Sequence, residues 1–184
     1  QNKKAIVWLC GGHFINDIYT GVLNPIMPFI AAKIGITMAI ATIILTVSHI
    51  FSSLLQPLFG YFADNIVKRS FIFWGLILSS IFIPLSALAH NPFILVLFII
   101  FGSIGSSLFH PQALGFVSKF ADKENTGKAM AVFVAMGTLG YSFGPIISSA
   151  ITQFLGMPRM PLMTILGILW ALLMFAFVPK LSLS

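Results

Sequence analysis

Long apolar runs, broken only by short polar or turn-forming segments, constrain this chain more than any other feature. Six of them lie at approximately 5–30, 40–63, 71–89, 92–116, 129–153 and 160–179. Each is about 19 to 30 residues long, enough to cross a hydrocarbon core of about 30 Å as a helix. Lipid tolerates only spans whose backbone groups are all hydrogen-bonded internally, which leaves helices and closed barrels. Barrels are written in short alternating strands, whereas these runs are continuous. The chain is therefore read as an all-α integral membrane protein of six transmembrane helices. Composition agrees: of 184 residues, 58% are hydrophobic and 8% charged, and the mean hydropathy is +1.02. A soluble domain carries about 25% charged residues, so a water-soluble fold of this chain would expose large apolar patches.

The breaks between runs carry turn chemistry: Lys33-Ile34-Gly35, Asp64 to Arg69, His90-Asn91-Pro92, Lys119 to Lys128, and Gly156-Met157-Pro158-Arg159. The whole of 1–184 reads as a single six-helix bundle, with loops 64–70 and 117–128 on the cytoplasmic side. Counting bases in alternate segments puts Lys3, Lys4, Lys68, Arg69, Lys119, Lys123, Lys128 and Lys180 on one side and only Lys33 and Arg159 on the other, eight against two. Such a bias predicts that both termini are cytoplasmic. The start Gln1-Asn2-Lys3-Lys4 is basic like the head of a signal peptide, but the following run is too long and no small-residue cleavage site closes it. It is read as a retained first span.

The net charge of +6 does not gather into a stripe, so nucleic acid is not an expected partner. The single cysteine, Cys10, allows no internal disulfide and no cysteine metal cluster. Neither a metal nor a cofactor is expected.

The polar residues inside the apolar runs carry the functional signal. Asp17 follows His13 by four residues, one helical turn, and His13, Asp17, Thr20, Gly21 and Asn24 fall on one arc. Asn16 lies beside Asp17. A charged side chain at membrane depth costs roughly 2.5–3.5 kcal/mol on insertion scales, so it marks a functional site by default. The fourth run carries Ser106, His110 and Gln112. His13 and His110 sit about eight and about seven residues from the cytoplasmic ends of their spans, which at 1.5 Å per residue puts them at similar depth. They are expected to flank one cavity with Asp17 a turn deeper, lined also by Asn16, Asn24 and Gln112. Histidine titrates near pH 6.5 in water, so this group suits proton exchange near neutral pH. His49, among Ser48, Ser52 and Ser53, is read as a hydrogen bonder between helices.

Spans 1 and 4 both hold the polar anomalies, as an inverted repeat of two three-helix units would place them. Span 5 contains Gly140 and Gly144 at the spacing that lets helix backbones approach, followed by Pro145. Close packing explains the glycines, and a Gly-Pro kink that lets the helix bend during gating is the sharper reading. In the second connection, Asp64 ends one helix and Lys68 and Arg69 begin the next, an arrangement that complements helix dipoles.

That loop, with Gly60, Ala63, Asp64, Lys68 and Arg69, resembles the signature between spans 2 and 3 of the major facilitator superfamily. Gly140-x-x-x-Gly144-Pro145 is similar to the span 5 motif of its antiporters. The stretch His13-Phe14-x-Asn16-Asp17-x-Tyr19-x-Gly21-x-Leu23-x-Pro25, with Gln56-Pro57 and Phe109-His110-Pro111-Gln112-Ala113, resembles the fosmidomycin resistance family within it. The resemblance implies the amino-terminal half of a twelve-helix rocker-switch transporter in a bacterial cytoplasmic membrane. It implies drug efflux coupled to proton entry, and a cytoplasmic gate in which Gly60, Asp64, Lys68 and Arg69 latch against the other half. Many drug antiporters carry an arginine in span 4; this chain has none between Arg69 and Arg159, which leaves Asp17 and the histidines as proton carriers.

The expected function is thus proton-coupled antiport of small-molecule drugs or metabolites by alternating access. The expected partners are substrate, protons, the lipid bilayer, and a carboxy-terminal six-helix half or a second copy. The alternatives are an uptake symporter on the same fold and a six-helix module acting as a homodimer. No His-Glu-x-x-His motif, acid pair or serine nucleophile context supports an enzyme.

Overall fold

A backbone surrounded by apolar side chains must satisfy its own hydrogen bonds, and each run does so as a helix. The computed structural model describes residues 2–65 and 69–179, which form six α-helices. These are α1 (Lys3–Ile34), α2 (Met38–Asn65), α3 (Arg69–Leu85), α4 (Pro92–Phe120), α5 (Thr126–Phe154) and α6 (Met163–Phe177). Short 3-10 turns at Ser86–Leu88 and Met157–Leu162 follow α3 and precede α6.

The helix ends follow local chemistry. The Asn2 side chain accepts a hydrogen bond from the Ala5 amide at 3.1 Å to cap α1, which stops at Gly35 in the left-handed conformation, φ 72°. Asn91 caps α4 in the same way through the Ile94 amide, with Pro92 at the first helical position, where its missing N–H costs nothing.

Among the described residues, five stretches are long and apolar enough to cross a membrane: Met38–Phe62, Arg69–Leu88, Pro92–Phe120, Thr126–Phe154 and Met157–Phe177. The sequence reading expected six. The difference is α1, which has ample length at 32 residues. Its apolar character is diluted by Lys3 and Lys4 at the start and by His13, Asn16, Asp17, Thr20 and Asn24 farther along. Buried residues recur along that helix from Ala5 to Ala31, although Val7 and Phe29 stay exposed. By contrast α2 leaves Ile43, Val47, Ile50 and Leu54 exposed on its outer face.

Helix α1 packs most extensively against α5, and α3 against α4; α2 leans on α4, and α6 on α3. Both main contacts bring backbones together at glycine. A Cβ on Gly140 would run into the Phe14 carbonyl, one on Gly144 into the Ile18 carbonyl, and one on Gly21 into the Tyr141 carbonyl. Across α3 and α4, a Cβ on Gly75 would lie 2.9 Å from the Gly105 carbonyl oxygen and the Phe109 amide nitrogen. Small residues at such positions let dispersion act between backbones where no hydrophobic force separates helix from lipid. The Tyr19 hydroxyl donates to the Met163 carbonyl at 2.6 Å and ties α1 to the start of α6.

Overpacking a tight contact costs about 1–3 kcal/mol. Gly140→Ala is accordingly expected to lower the thermal unfolding midpoint of the detergent-solubilised protein by several degrees. Gly115→Ala, where a Cβ meets nothing within 4 Å, should leave it in place.

Candidate functional site

The Asp17 carboxylate is gripped from both sides. Its Oδ2 lies 3.1 Å from His13 Nε2, one turn back on α1, and its Oδ1 lies 3.0 Å from His110 Nε2 on α4. All three side chains are largely enclosed, with 15% of Asp17, 8% of His13 and 24% of His110 exposed. The Asn16 amide nitrogen donates to the same Oδ1 at 3.0 Å and to the Ser106 hydroxyl at 3.1 Å. The Ser79 hydroxyl of α3 donates to the Asn16 carbonyl oxygen at 2.8 Å. One asparagine therefore joins α1, α3 and α4 behind the carboxylate.

The far side of each imidazole is also committed. His13 Nδ1 lies 2.7 Å from the Phe133 carbonyl of α5, and His110 Nδ1 lies 2.8 Å from the Ser106 carbonyl of its own helix. A carbonyl oxygen only accepts, so both Nδ1 atoms carry hydrogen and both Nε2 atoms are turned to the carboxylate. Each Nε2–oxygen contact then needs one proton between its two atoms. The fully satisfied group holds two such protons and carries a net charge of +1.

Close helix approach sets this geometry. A Cβ on Gly137 of α5 would strike the His13 ring and lie 2.7 Å from Asp17 Oδ2. The ring of Phe133 stacks on His13 with centroids 4.0 Å apart, and the His110 ring meets His13 edge-on at 4.9 Å.

Asp17 and His110 open onto a cavity of about 240 Å³. Hydroxyl and amide groups dominate its polar lining: Thr20 of α1, Ser48, Ser52 and Gln56 of α2, and Ser103 of α4. His49 lines it too and is exposed, a placement at odds with the expected role between helices.

The other residues singled out from sequence divide. His13 and Asn16 lie behind the cavity wall, within the polar cluster. Asn24 is exposed and does not itself line the cavity, but it donates at 3.2 Å to the hydroxyl of Tyr141, which does. Gln112 is 1% exposed and does not line the cavity; its Oε1 has no hydrogen-bond partner among the described residues. Gly60 approaches Pro111 of α4, with a Cβ there 3.8 Å away. Arg69 begins α3, donates to the Val178 carbonyl at 2.9 Å and stacks over Phe175 at 4.2 Å. Lys68 and the Asp64 side chain lie outside the described residues. Gly140 and Gly144 press on α1, and α5 stays helical through Pro145.

Sequence reasoning missed three contributors: Ser79, Gly137 as the space for the His13 ring, and the Phe133 carbonyl. The Ser79-Ser80 pair in the middle of an otherwise apolar run was a readable signal for the first.

Comparison with known proteins gives a family match over residues 9–182, to the Major Facilitator Superfamily. The chain is 26% identical to the riboflavin transporter RibZ of Clostridioides difficile over 98% of its own length and 40% of that protein. It is 31% identical to the fosmidomycin resistance protein of Escherichia coli over 76% of its length and 34% of that protein. To the quinolone resistance protein NorA of Staphylococcus aureus it is 24% identical over 83% of its length and 39% of that protein. The chain thus spans well under half the length of these curated relatives.

Leaving buried partners unsatisfied costs about 1–3 kcal/mol. Asn16→Leu, which removes a donor from Asp17 Oδ1 and from the Ser106 hydroxyl and an acceptor from the Ser79 hydroxyl, is expected to destabilise by an amount within that range and more than Ser79→Ala. Ser79→Ala should cost about 1 kcal/mol. Chemical denaturation in mixed micelles, comparing the two variants with the parent, reads the difference.

Proposed function

The chain belongs to the major facilitator superfamily, and from that premise we propose that it forms one six-helix half of a membrane transporter that exports small molecules in exchange for protons. The observation that carries this reading is Asp17 held between His13 and His110 at the wall of a hydroxyl-lined cavity. Substrate entering that cavity approaches the carboxylate and the His110 ring directly. Losing one proton leaves a nitrogen lone pair facing an oxygen lone pair at about 3 Å, a contact that must open. Because His110 belongs to α4 and Asp17 to α1, the proton count then acts on the spacing of two helices.

The packing supports a pair of inverted three-helix repeats. Exchanging α1 with α4 and α2 with α5 carries the α1–α5 contact onto α4–α2, both of which are present. In this reading the cavity face is completed by a carboxy-terminal six-helix half or a second copy. A bend of α5 at Gly144-Pro145 opens it, and the segment from Gly60 to Arg69 closes the cytoplasmic side. Both termini lie in the cytoplasm, and the membrane is the bacterial inner membrane.

Uptake by symport is the second reading, since the same fold serves either direction and the names of two relatives, a riboflavin transporter and a probable nitrate transporter, specify none. Proteoliposomes with an imposed pH gradient separate the two. Riboflavin or fosmidomycin moving against the proton flux supports export, and accumulation in the same direction as protons overturns it. Asp17→Asn is expected to abolish gradient-driven movement while preserving expression and folding. His110→Ala is expected to shift the pH profile of the remaining transport. Wild-type coupling in Asp17→Asn removes the carboxylate from the mechanism.

A further inference from the structure

We propose that His13, Asp17 and His110 also form a binding site for a divalent transition-metal ion of the zinc type, which takes the place of the two protons. The sequence reading expected no metal, although it set both histidines beside one cavity with Asp17.

The donor set is right in kind, two imidazoles and a carboxylate, with all three ligand atoms within 4.8 Å of one another. Donors at zinc distances of about 2.0–2.1 Å in tetrahedral array stand about 3.3 Å apart. His13 Nε2 and His110 Nε2 stand 3.1 Å and 3.0 Å from different oxygens of the one carboxylate, near that spacing, so an ion enters between the two rings once the carboxylate turns to present its oxygens to it.

A second, independent feature is the orientation of the rings. Metal-binding histidines almost always donate their other N–H to a carbonyl or carboxylate, which fixes the tautomer and aims the free nitrogen. His13 does this through the Phe133 carbonyl and His110 through the Ser106 carbonyl. The Asn16 amide restrains the carboxylate in the corresponding way. The cavity beside Asp17 and His110 leaves a side from which water or a ligand completes the coordination.

Charge balance also favours the exchange. The group with two protons carries +1, and neutral imidazoles with an ionised carboxylate around a 2+ ion carry the same +1. Binding therefore releases two protons and leaves the net charge of the interior unchanged. Bound metal would link α1 to α4 and hold the site against proton exchange. The inference adds a second occupant to the site of the proposed proton exchange, yet it stands on the donor geometry alone.

Cobalt(II) titration of the purified, untagged protein in detergent tests it, with the visible absorption spectrum as readout. The expected result is one equivalent bound with intense bands of low coordination number, displaced by zinc. His13→Ala and His110→Ala should each weaken binding at least about tenfold. His90→Ala, on the exposed turn before α4, should bind like the parent. Circular dichroism checks that each variant is folded, and His110→Gln substitutes for any alanine variant that is not. A spectrum that stays that of the hydrated ion, or one that persists equally in the His13 and His110 variants, overturns the proposal. Proton-coupled movement measured with a chelator present is unaffected by either failure, so the two readings are separately at risk.

Discussion

An ionised carboxylate enclosed by apolar helices has to be met by donors on every side, and the arrangement around Asp17 is organised by that demand. Two histidines and one asparagine surround it; His13 and Asn16 are in turn fixed by groups on other helices, and His110 by a carbonyl of its own helix. Phe133 on α5, Ser79 on α3 and Ser106 on α4 supply those second contacts. The carboxylate thus draws four helices to one point. A partly satisfied polar network inside a bundle is worse than none. Removing a single support therefore reaches helices that never touch the carboxylate themselves.

The glycine contacts are the apolar counterpart of this network. Ring and carboxylate meet only because Gly137 leaves room for them, and α5 stands that close to α1 only because Gly140, Gly144 and Gly21 let carbonyls rest against bare Cα atoms. Dispersion over the glycine face and hydrogen bonds at the polar face are thus two views of one helix pair.

Much of this was readable before any coordinates. The i, i+4 placement of His13 and Asp17 is a property of any helix, and the depth of His110 follows from rise per residue and the direction of its span. What could not be read depends on which helices are neighbours. Nothing in the chain order says that Ser79 faces Asn16 or that a backbone carbonyl at Phe133 meets His13, because a carbonyl has no sequence identity. Gln112 misled for a related reason: a polar residue two positions beyond His110 is turned about 200° around the helix, away from the cavity. The apolarity of α1 was overestimated because the polar arc read as cavity-facing, with Lys3 and Lys4, lowers the hydropathy of a helix that buries residues from Ala5 to Ala31.

The carbonyl-on-glycine contacts between α1 and α5 fix more than a distance. Moving either helix along the other by one residue would bring the neighbours of these glycines, such as Val22, Leu139, Tyr141 and Phe143, against carbonyl oxygens that now rest on hydrogen atoms. The pair is in effect keyed, with one permitted register. The stretch of α5 from Gly137 to Gly144 is therefore locked to the facing stretch of α1, and any sliding surface must be sought elsewhere in the bundle.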